Sequence, residues 1–355
     1  MKRQPLSAQK GEIEFRKKLF KQHFEGESFL LDEYSSEEIH DIIKDRMSKT
    51  LNQMMVFKSS GVNLSPYLEI GAERCQRSLV MENDIEAQGI ALDISYDSLK
   101  SCDYYMNMFN KFKIPIRICC DVNNLPIKSN SIPFIFCYEV LHHFPDPSPI
   151  INALYRVLSP NGLFFFDEEP YKRVLHINLY KGLKLYSKEN RTKSNFRKIL
   201  DALFKESQCN EIEHGVIENE SITLSSWKKA LNIFDIKKVT LNTSTFLTSD
   251  LFSHSFGIKY FLSYLLGGSI KGICKKVGSG ENEPINNNQI HKILICPSCL
   301  ENEEEMIINY DSTNNNYLCS KCSRTFPVFN DIILLFSHRK LVELYPEFST
   351  VCKNR

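Results

Sequence analysis

The sequence predicts a doubly wound α/β fold with a mostly parallel sheet of seven strands. Short apolar runs follow one another along the chain, and helix-length intervals separate the first five of them. Strands that are apolar on both faces and alternate with helices are typical of βαβ units. The predicted strands are 67–70, 89–93, 116–121, 132–138 and 162–166, with two later ones at 234–241 and 270–277.

We assign these strands to a domain at residues 64–278, and other segments precede, interrupt and follow it. Residues 1–63 have apolar positions at helical spacing, with Ser36 placed to cap a helix, and are expected to form a helical N-terminal extension. A helical insertion at about 171–232 is expected to form a cap. A linker at 279–289, rich in Gly, Asn and charge, is expected to separate two independently folded bodies.

Composition, charge and cysteine spacing indicate which partners and which compartment to expect. The chain has 355 residues, 42% of them hydrophobic, and a formal net charge of +1, which predicts no long-range attraction to nucleic acid or anionic lipid. We expect no transmembrane segment, because no apolar run approaches about 20 residues. The N-terminal residues lack the apolar core of a secretory signal, and eight of the twelve cysteines have no disulfide spacing. The expected compartment is the cytoplasm.

Positive charge is concentrated in the first part of the insertion. Residues 171–205 contain ten basic and two acidic residues, with apolar residues interleaved. This pattern predicts an amphipathic cap whose basic side meets a phosphate, a nucleic acid or a membrane surface. The alternative is a solvated helix face, balanced by the glutamates that follow between 211 and 220.

Four features occur where strands run into helices, which is where doubly wound sheets bind ligands. Gly71 follows the first strand, and Asp93 ends the second strand 22 residues later, the spacing of an acid that binds ribose hydroxyls. Asp121 ends the third strand and could accept a hydrogen bond from an adenine amine. The fourth strand leads into Glu139 and its polar neighbours. A single acid after a strand is usually a helix cap, but four ordered features indicate a nucleotide site.

These residues resemble the class I methyltransferases of the type 11 kind, which include ubiquinone and menaquinone biosynthesis methyltransferases. The matching residues are 68–71, 91–95, Asp121 with 125–126, 139–146 and 155–162. The resemblance implies S-adenosylmethionine as cofactor, with Glu69 and Gly71 at its methionine end, Asp93 at the ribose and Asp121 at the adenine. The expected cofactor-binding set is completed by Ala72, Ile94, Val122 and Glu139.

The first loop departs from the family pattern, which has glycine at alternate positions. Here Glu73 and Cys75 follow Gly71, so their side chains could crowd the cofactor. This departure keeps open a non-catalytic scaffold that retains the fold. A dinucleotide-dependent oxidoreductase ranks lower, because the loop lacks the G-x-G-x-x-G pattern that such enzymes use.

Candidate catalytic residues follow the fourth and fifth strands. Transfer of an already activated methyl group chiefly needs an aligned acceptor, with any proton removed before or during attack. The candidate bases are His142 and His143 after the fourth strand and Glu168 after the fifth. The ends of these two strands border the acceptor pocket in this architecture. For each histidine, a role in packing or at a helix start is the competing interpretation.

Four cysteines predict a structural zinc site. Cys296 and Cys299 form one C-x₂-C pair, and Cys319 and Cys322 form another after 19 intervening residues. Four thiolates fill the tetrahedral coordination of Zn²⁺ and leave no open position. The alternative is a former metal site whose cysteines are disulfide-bonded or hold no metal. The expected zinc ribbon spans 290–338, and a C-terminal tail follows at 339–355.

Residues 290–336 resemble the small zinc-ribbon activator that partners tRNA, rRNA and protein methyltransferases. The resemblance rests on the two cysteine pairs and the apolar runs 293–295 and 326–335, although 330–333 differs from the usual Asp-Gly-Ile-Pro. It implies that the ribbon docks in cis on the methyltransferase domain or on a substrate. For the whole chain we expect methyl transfer to a small-molecule, lipid-linked or saccharide acceptor. RNA or protein methylation is the alternative, which the ribbon and the basic cap favour but the net charge of +1 does not.

Overall fold

A computed structural model describes residues 5–25, 36–172, 216, 222–244, 246–253, 257–279 and 287–349. Its strands are β1 (Tyr67–Ile70), β2 (Gly89–Asp93), β3 (Ile116–Cys120), β4 (Ile132–Tyr138), β5 (Leu158–Tyr171), β6 (Ile236–Asn242), β7 (Thr248–Asp250), β8 (Gly268–Lys275), β9 (Ile308–Asp311), β10 (Asn316–Cys319), β11 (Thr325–Phe329) and β12 (Ile332–Leu335). Most of the expected insertion, 173–215 and 217–221, lies outside the described residues, as does 280–286 of the expected linker.

The helices come from both ends of the chain as well as from its centre. They are α1 (Leu6–Phe20), α2 (Ser36–Ser59), α3 (Gln76–Val80), α4 (Tyr96–Lys100), α5 (Cys102–Met108), α6 (Ser148–Val157), α7 (Leu224–Leu231), α8 (Ile258–Leu266), α9 (Pro297–Leu300), α10 (His338–Leu344) and α11 (Pro346–Ser349). Among the residues described, none of these helices has the length and apolar character that crossing a bilayer requires.

The strands form one mixed sheet in the order β7-β6-β8-β5-β4-β1-β2-β3-β12-β11-β10-β9. The centre is parallel: β1 pairs with β2 and β4, β2 with β3, and β4 with β5. The predicted Rossmann-like α/β fold is confirmed in this part, because β1 to β5 alternate with helices. The prediction of seven strands is wrong, since the described residues alone form a sheet of twelve.

The additional strands have two sources. Short β7 pairs with β6 at one edge, and the four C-terminal strands extend the other edge. There β12 pairs in parallel with β3, with Ile332 opposite Arg117 and Leu335 opposite Cys120. The cysteine-rich segment thus shares one sheet with the strands of 64–278, and the independent folding of the two stays a prediction. Backbone pairing with a sheet edge carries no side-chain periodicity of its own, which is why the sequence did not indicate it.

Polar contacts reinforce this junction. The guanidinium of Arg156 donates to Glu305 Oε1 of the C-terminal segment at 2.6 Å. The side-chain amide of Asn124 donates to the carbonyl of Pro297 at 2.8 Å. The C-terminal cysteine-rich segment is thus attached in cis to the α/β domain through the described contacts.

Each face of the sheet has its own apolar core. Alternate residues point to opposite faces, so Leu68 and Ile70 join one cluster while Tyr67 joins the other. The first cluster includes residues of α6, α7 and the cysteine-rich segment. The second includes residues of α1 and α2 and of the C-terminal helix α10. Helices from both ends of the chain therefore lie on the same face.

Candidate functional site

The loop after β1 has three left-handed residues at alternate positions. Gly71 has φ 65°, Glu73 φ 49° and Cys75 φ 59°. A Cβ at Gly71 would lie 2.3 Å from a methyl carbon of Val140, so this position requires glycine. At the other two positions an L side chain costs about 1–2 kcal/mol in this conformation. The loop therefore keeps a glycine-type backbone shape although two of its residues carry side chains.

The side chains of Glu73 and Cys75 lie in different environments. Cys75 is fully buried and belongs to the apolar cluster on the α1 and α2 face, and burial raises the pKa of its thiol. The carboxylate of Glu73 instead meets the guanidinium groups of Arg46 at 3.1 Å, Arg16 at 3.4 Å and Arg74 at 3.4 Å. Burial opposes its ionisation, but these three cations together hold the pKa of Glu73 well below its usual range.

Asp93, at the end of β2, connects this loop to the sheet. Its Oδ2 accepts a hydrogen bond from the backbone N–H of Glu73 at 2.8 Å, and its Oδ1 accepts one from Ser95 N–H at 2.8 Å. Burial raises the pKa of Asp93 to about 6. Each carboxylate oxygen has two lone pairs, so Asp93 can still accept further hydrogen bonds, including those of a ribose.

Asp121 follows β3, the neighbour of β2, and its carboxylate is already engaged. Oδ1 accepts hydrogen bonds from the backbone and side-chain N–H groups of Asn123, at 2.9 and 2.7 Å. Oδ2 accepts one from Nε2 of Gln9 in α1, at 2.9 Å. Val122, beside Asp121, is also buried. The N-terminal helix thus reaches the position expected to bind adenine.

Glu69 lies inside the domain. It is buried, its carboxyl group is hydrogen-bonded to the hydroxyl of Ser78, and burial raises its pKa to about 8. Through this hydrogen bond Glu69 links β1 to α3. The expected contact with the methionine end of a cofactor stays a prediction.

Two backbone contacts lie at the same end of the sheet. The buried Ala72 donates its N–H to the carbonyl of Leu92 at 2.9 Å, and the Ile94 carbonyl accepts the hydroxyl of Tyr345 at 2.7 Å. The loop after β1 and the C-terminal residue Tyr345 are thereby both fixed to the end of β2.

Charged residues follow β4 and β5. Glu139 has φ 54° and accepts from Nη2 of Arg46 at 3.2 Å, so Arg46 bridges Glu73 and Glu139. The partly exposed Glu168 lies 3.5 Å from Nη2 of Arg77, whose guanidinium stacks on the Tyr138 ring at 3.7 Å. Because Arg46 and Arg77 lie among these acids, the site can hold both an anionic and a cationic group of a ligand.

Glu169, which sequence reasoning missed, organises the loop after β4. Its fully buried carboxylate accepts from the backbone N–H groups of Val140 at 2.8 Å, Leu141 at 2.9 Å and His142 at 3.1 Å. It also lies 3.0 Å from His142 Nδ1. Nothing in the run of three acids at 167–169 distinguishes this residue, because its role depends on a loop distant in sequence. The ring of His143 packs on His142, with centroids 4.4 Å apart.

The four predicted cysteine ligands converge at one point. All four Sγ atoms lie within 4.8 Å of one another, with Cys296 and Cys322 at 3.6 Å and Cys299 and Cys319 at 3.8 Å. A tetrahedral Zn²⁺ with bonds of about 2.3 Å spaces its sulfur atoms about 3.8 Å apart. The cluster has the geometry of such a site.

A comparison with known families gives a match in the central part of the chain. Residues 68–166 match the model of a methyltransferase domain. This range includes Glu69 and the loop after β1, both strand-end aspartates and the loop held by Glu169. The match coincides with the segment in which the sequence predicted the cofactor site.

Curated relatives cover short parts of the chain. An uncharacterised chloroplastic methyltransferase of Arabidopsis thaliana is 30% identical over 31% of this chain and 33% of its own length. A ubiquinone biosynthesis O-methyltransferase of Pseudomonas putida is 52% identical over 9% of this chain and 14% of its own length. The chain spans a third or less of the length of the curated relatives it matches.

Among solved structures, a SAM-dependent methyltransferase from Archaeoglobus fulgidus is similar with a TM-score of 0.40 and 14% identity. The similarity covers 73% of this chain and 99% of that one.

Proposed function

We propose that this protein transfers a methyl group from S-adenosylmethionine to a small-molecule, lipid-linked or saccharide acceptor. The observation that carries the proposal is the loop 71–75, whose glycine-type shape is held to the end of β2 by the hydrogen bond from Glu73 N–H to Asp93. The match of 68–166 to a methyltransferase domain supports it.

The residues present fit such a cofactor at its ribose and methionine ends. Asp93 has acceptor capacity left for ribose hydroxyls, and the backbone of the loop that it holds at Glu73 would lie beside the cofactor. Arg46 can pair with a carboxylate, and Glu139 with an ammonium group. When bound, S-adenosylmethionine supplies a methyl group that its sulfonium already activates.

The protein's own residues would align the acceptor. Glu169 fixes the backbone of 140–142 and the ring of His142, which keeps the rim of the site in one conformation. Glu168, partly exposed beside Arg77, is the candidate to take a proton from an acceptor hydroxyl or amine. His142 is a positioning residue in this proposal, because its Nδ1 faces Glu169.

We further propose that Cys296, Cys299, Cys319 and Cys322 bind one structural Zn²⁺. The support is the mutual distance of their sulfur atoms, which suits tetrahedral coordination. The metal would stabilise the segment that adds β12 to the sheet and would take no part in methyl transfer.

Calorimetry and methyl-label transfer test the proposal. We expect the protein to bind S-adenosylmethionine and to pass labelled methyl to one fraction of a cell extract. Asp93→Ala should abolish both signals, because it removes the ribose acceptor. Asp84→Ala is the matched control, since Asp84 pairs with Lys111 on the surface. Absence of binding by the folded wild-type protein would contradict the proposal and support the non-catalytic scaffold.

A further inference from the structure

Helix α1 lies against the carboxyl ends of the central strands. Its inward side chains are almost without exposed surface: Gln9 is 1% exposed, Ile13 3% and Ala8 5%. Ile13 belongs to the same apolar cluster as Ala72 of the loop after β1. The helix therefore packs against the part of the molecule where the cofactor residues lie.

Gln9 makes the polar contact at the centre of this packing. Its Nε2 donates to Asp121 Oδ2 at 2.9 Å, and its Oε1 accepts from Nζ of Lys340 at 2.5 Å. Lys340, in α10, lies 3.6 Å from the same Asp121 oxygen. One residue from each end of the described chain thus meets the carboxylate of Asp121.

This contact uses the carboxylate that the sequence predicts as the acceptor for an adenine amine. The amide NH₂ of a glutamine and the exocyclic amine of adenine are equivalent donors toward a carboxylate. Asn123 supplies both donors to Oδ1, while Gln9 and the charge of Lys340 face Oδ2. Because Gln9 and Asp121 are both buried, the contact leaves little room for a ring between them.

A second contact holds the other end of the helix. Arg16 lies 3.4 Å from the carboxylate of Glu73, and Glu12 orients Arg16 through a 2.7 Å contact on the same helix. Helix α1 is therefore attached at both the adenine side and the loop after β1.

We propose that Gln9 and Lys340 determine cofactor affinity by competing with the adenine for Asp121, so that α1 must move before the cofactor binds. The proposal rests on the proposed function, since it concerns the same site. In this proposal, α1 occupies the Asp121 carboxylate in place of the adenine and does not line the cofactor pocket.

The test compares binding of S-adenosylhomocysteine by calorimetry in the full chain and in Gln9→Ala. Loss of a hydrogen bond to a charged group should favour the open state, and we expect the Kd to fall about tenfold. Lys10→Ala is the matched control, because Lys10 is exposed on the same helix and should leave the Kd unchanged. A Kd that rises or stays constant in Gln9→Ala would overturn the proposal.

Hydrogen exchange gives a readout that does not depend on the variant's folding. In the wild-type protein, the amides of Leu6–Phe20 should exchange faster when the ligand is bound. Slower exchange there would show that α1 closes onto the ligand and would overturn the proposal while leaving the proposed function intact. No binding by wild type or Gln9→Ala would overturn both.

Discussion

Glu73 shows how a single residue can depart from a sequence pattern while the backbone keeps the shape that the pattern implies. The sequence revealed the departure from glycine at 73 and 75, but it did not indicate where the side chains go. That depends on Arg16 and Arg46, which reach Glu73 from helices distant in sequence. The left-handed backbone is tolerated because these ion pairs and the hydrogen bond to Asp93 hold it.

Two substitutions at Glu73 separate strain from ion pairing. Glu73→Ala and Glu73→Gly remove the same ion pairs, but only glycine adopts φ 49° without steric cost. We expect the free energy of unfolding of Glu73→Gly to exceed that of Glu73→Ala by about 1 kcal/mol in urea titrations at neutral pH.

Glu86 provides a control for this comparison. It has φ 62° and an exposed side chain, so Glu86→Gly should also be more stable than Glu86→Ala by a similar amount. If the alanine variant at position 73 were as stable as the glycine variant while the pair at 86 differed, the strain assigned to Glu73 would be absent.

At the scale of elements, the sequence predicted the central strands well, because each is a short apolar run between helices. β1, β2 and β4 coincide with their predicted ranges, and β3 with all but its last residue. β5 was predicted as 162–166 but continues to Tyr171, where acidic residues interrupt the apolar run. Pairing with β8 extends it, and such pairing is a tertiary contact that local pattern does not encode.

The loop 140–142 depends on one carboxylate of that extended strand. Glu169→Ala would leave three buried backbone donors without their acceptor, so we expect a loss of at least about 3 kcal/mol in the free energy of unfolding. Urea titration measures it. Glu168→Ala is the neighbouring control and should change stability by less than about 0.5 kcal/mol, since Glu168 is partly exposed.

Glu169→Gln keeps the size of the side chain but replaces one acceptor oxygen by an NH₂ group. Its free energy of unfolding should lie between those of Glu168→Ala and Glu169→Ala. A loss equal in Glu168→Ala and Glu169→Ala would contradict the role assigned to Glu169.

At the scale of the molecule, the cysteine-rich segment could be predicted and its place in the sheet could not. Four cysteines at fixed spacing are a local signal, whereas the pairing of β12 with β3 depends on two stretches more than 200 residues apart. The same holds for the meeting of α1 and α10 at Asp121, which no pattern within either helix indicates.

Metal removal tests how far the sheet depends on this segment. We expect one Zn²⁺ per chain by elemental analysis, and a chelator should lower the Tm and speed amide exchange in β3, because β12 loses its anchor. In a Cys319→Ser, Cys322→Ser variant the chelator should have no further effect. An unchanged Tm, with β3 amides still protected after the metal is removed, would show that the ribbon folds without it.

The pairing of β12 with β3 also bears on self-association. Without β12, the strand Ile116–Cys120 would present unpaired backbone groups at the border of a sheet, a template on which strands of other molecules can aggregate. The strand that ends this side of the described sheet is instead β9, which has four residues. By carrying its own cover for β3, the protein replaces an apolar border with a shorter one.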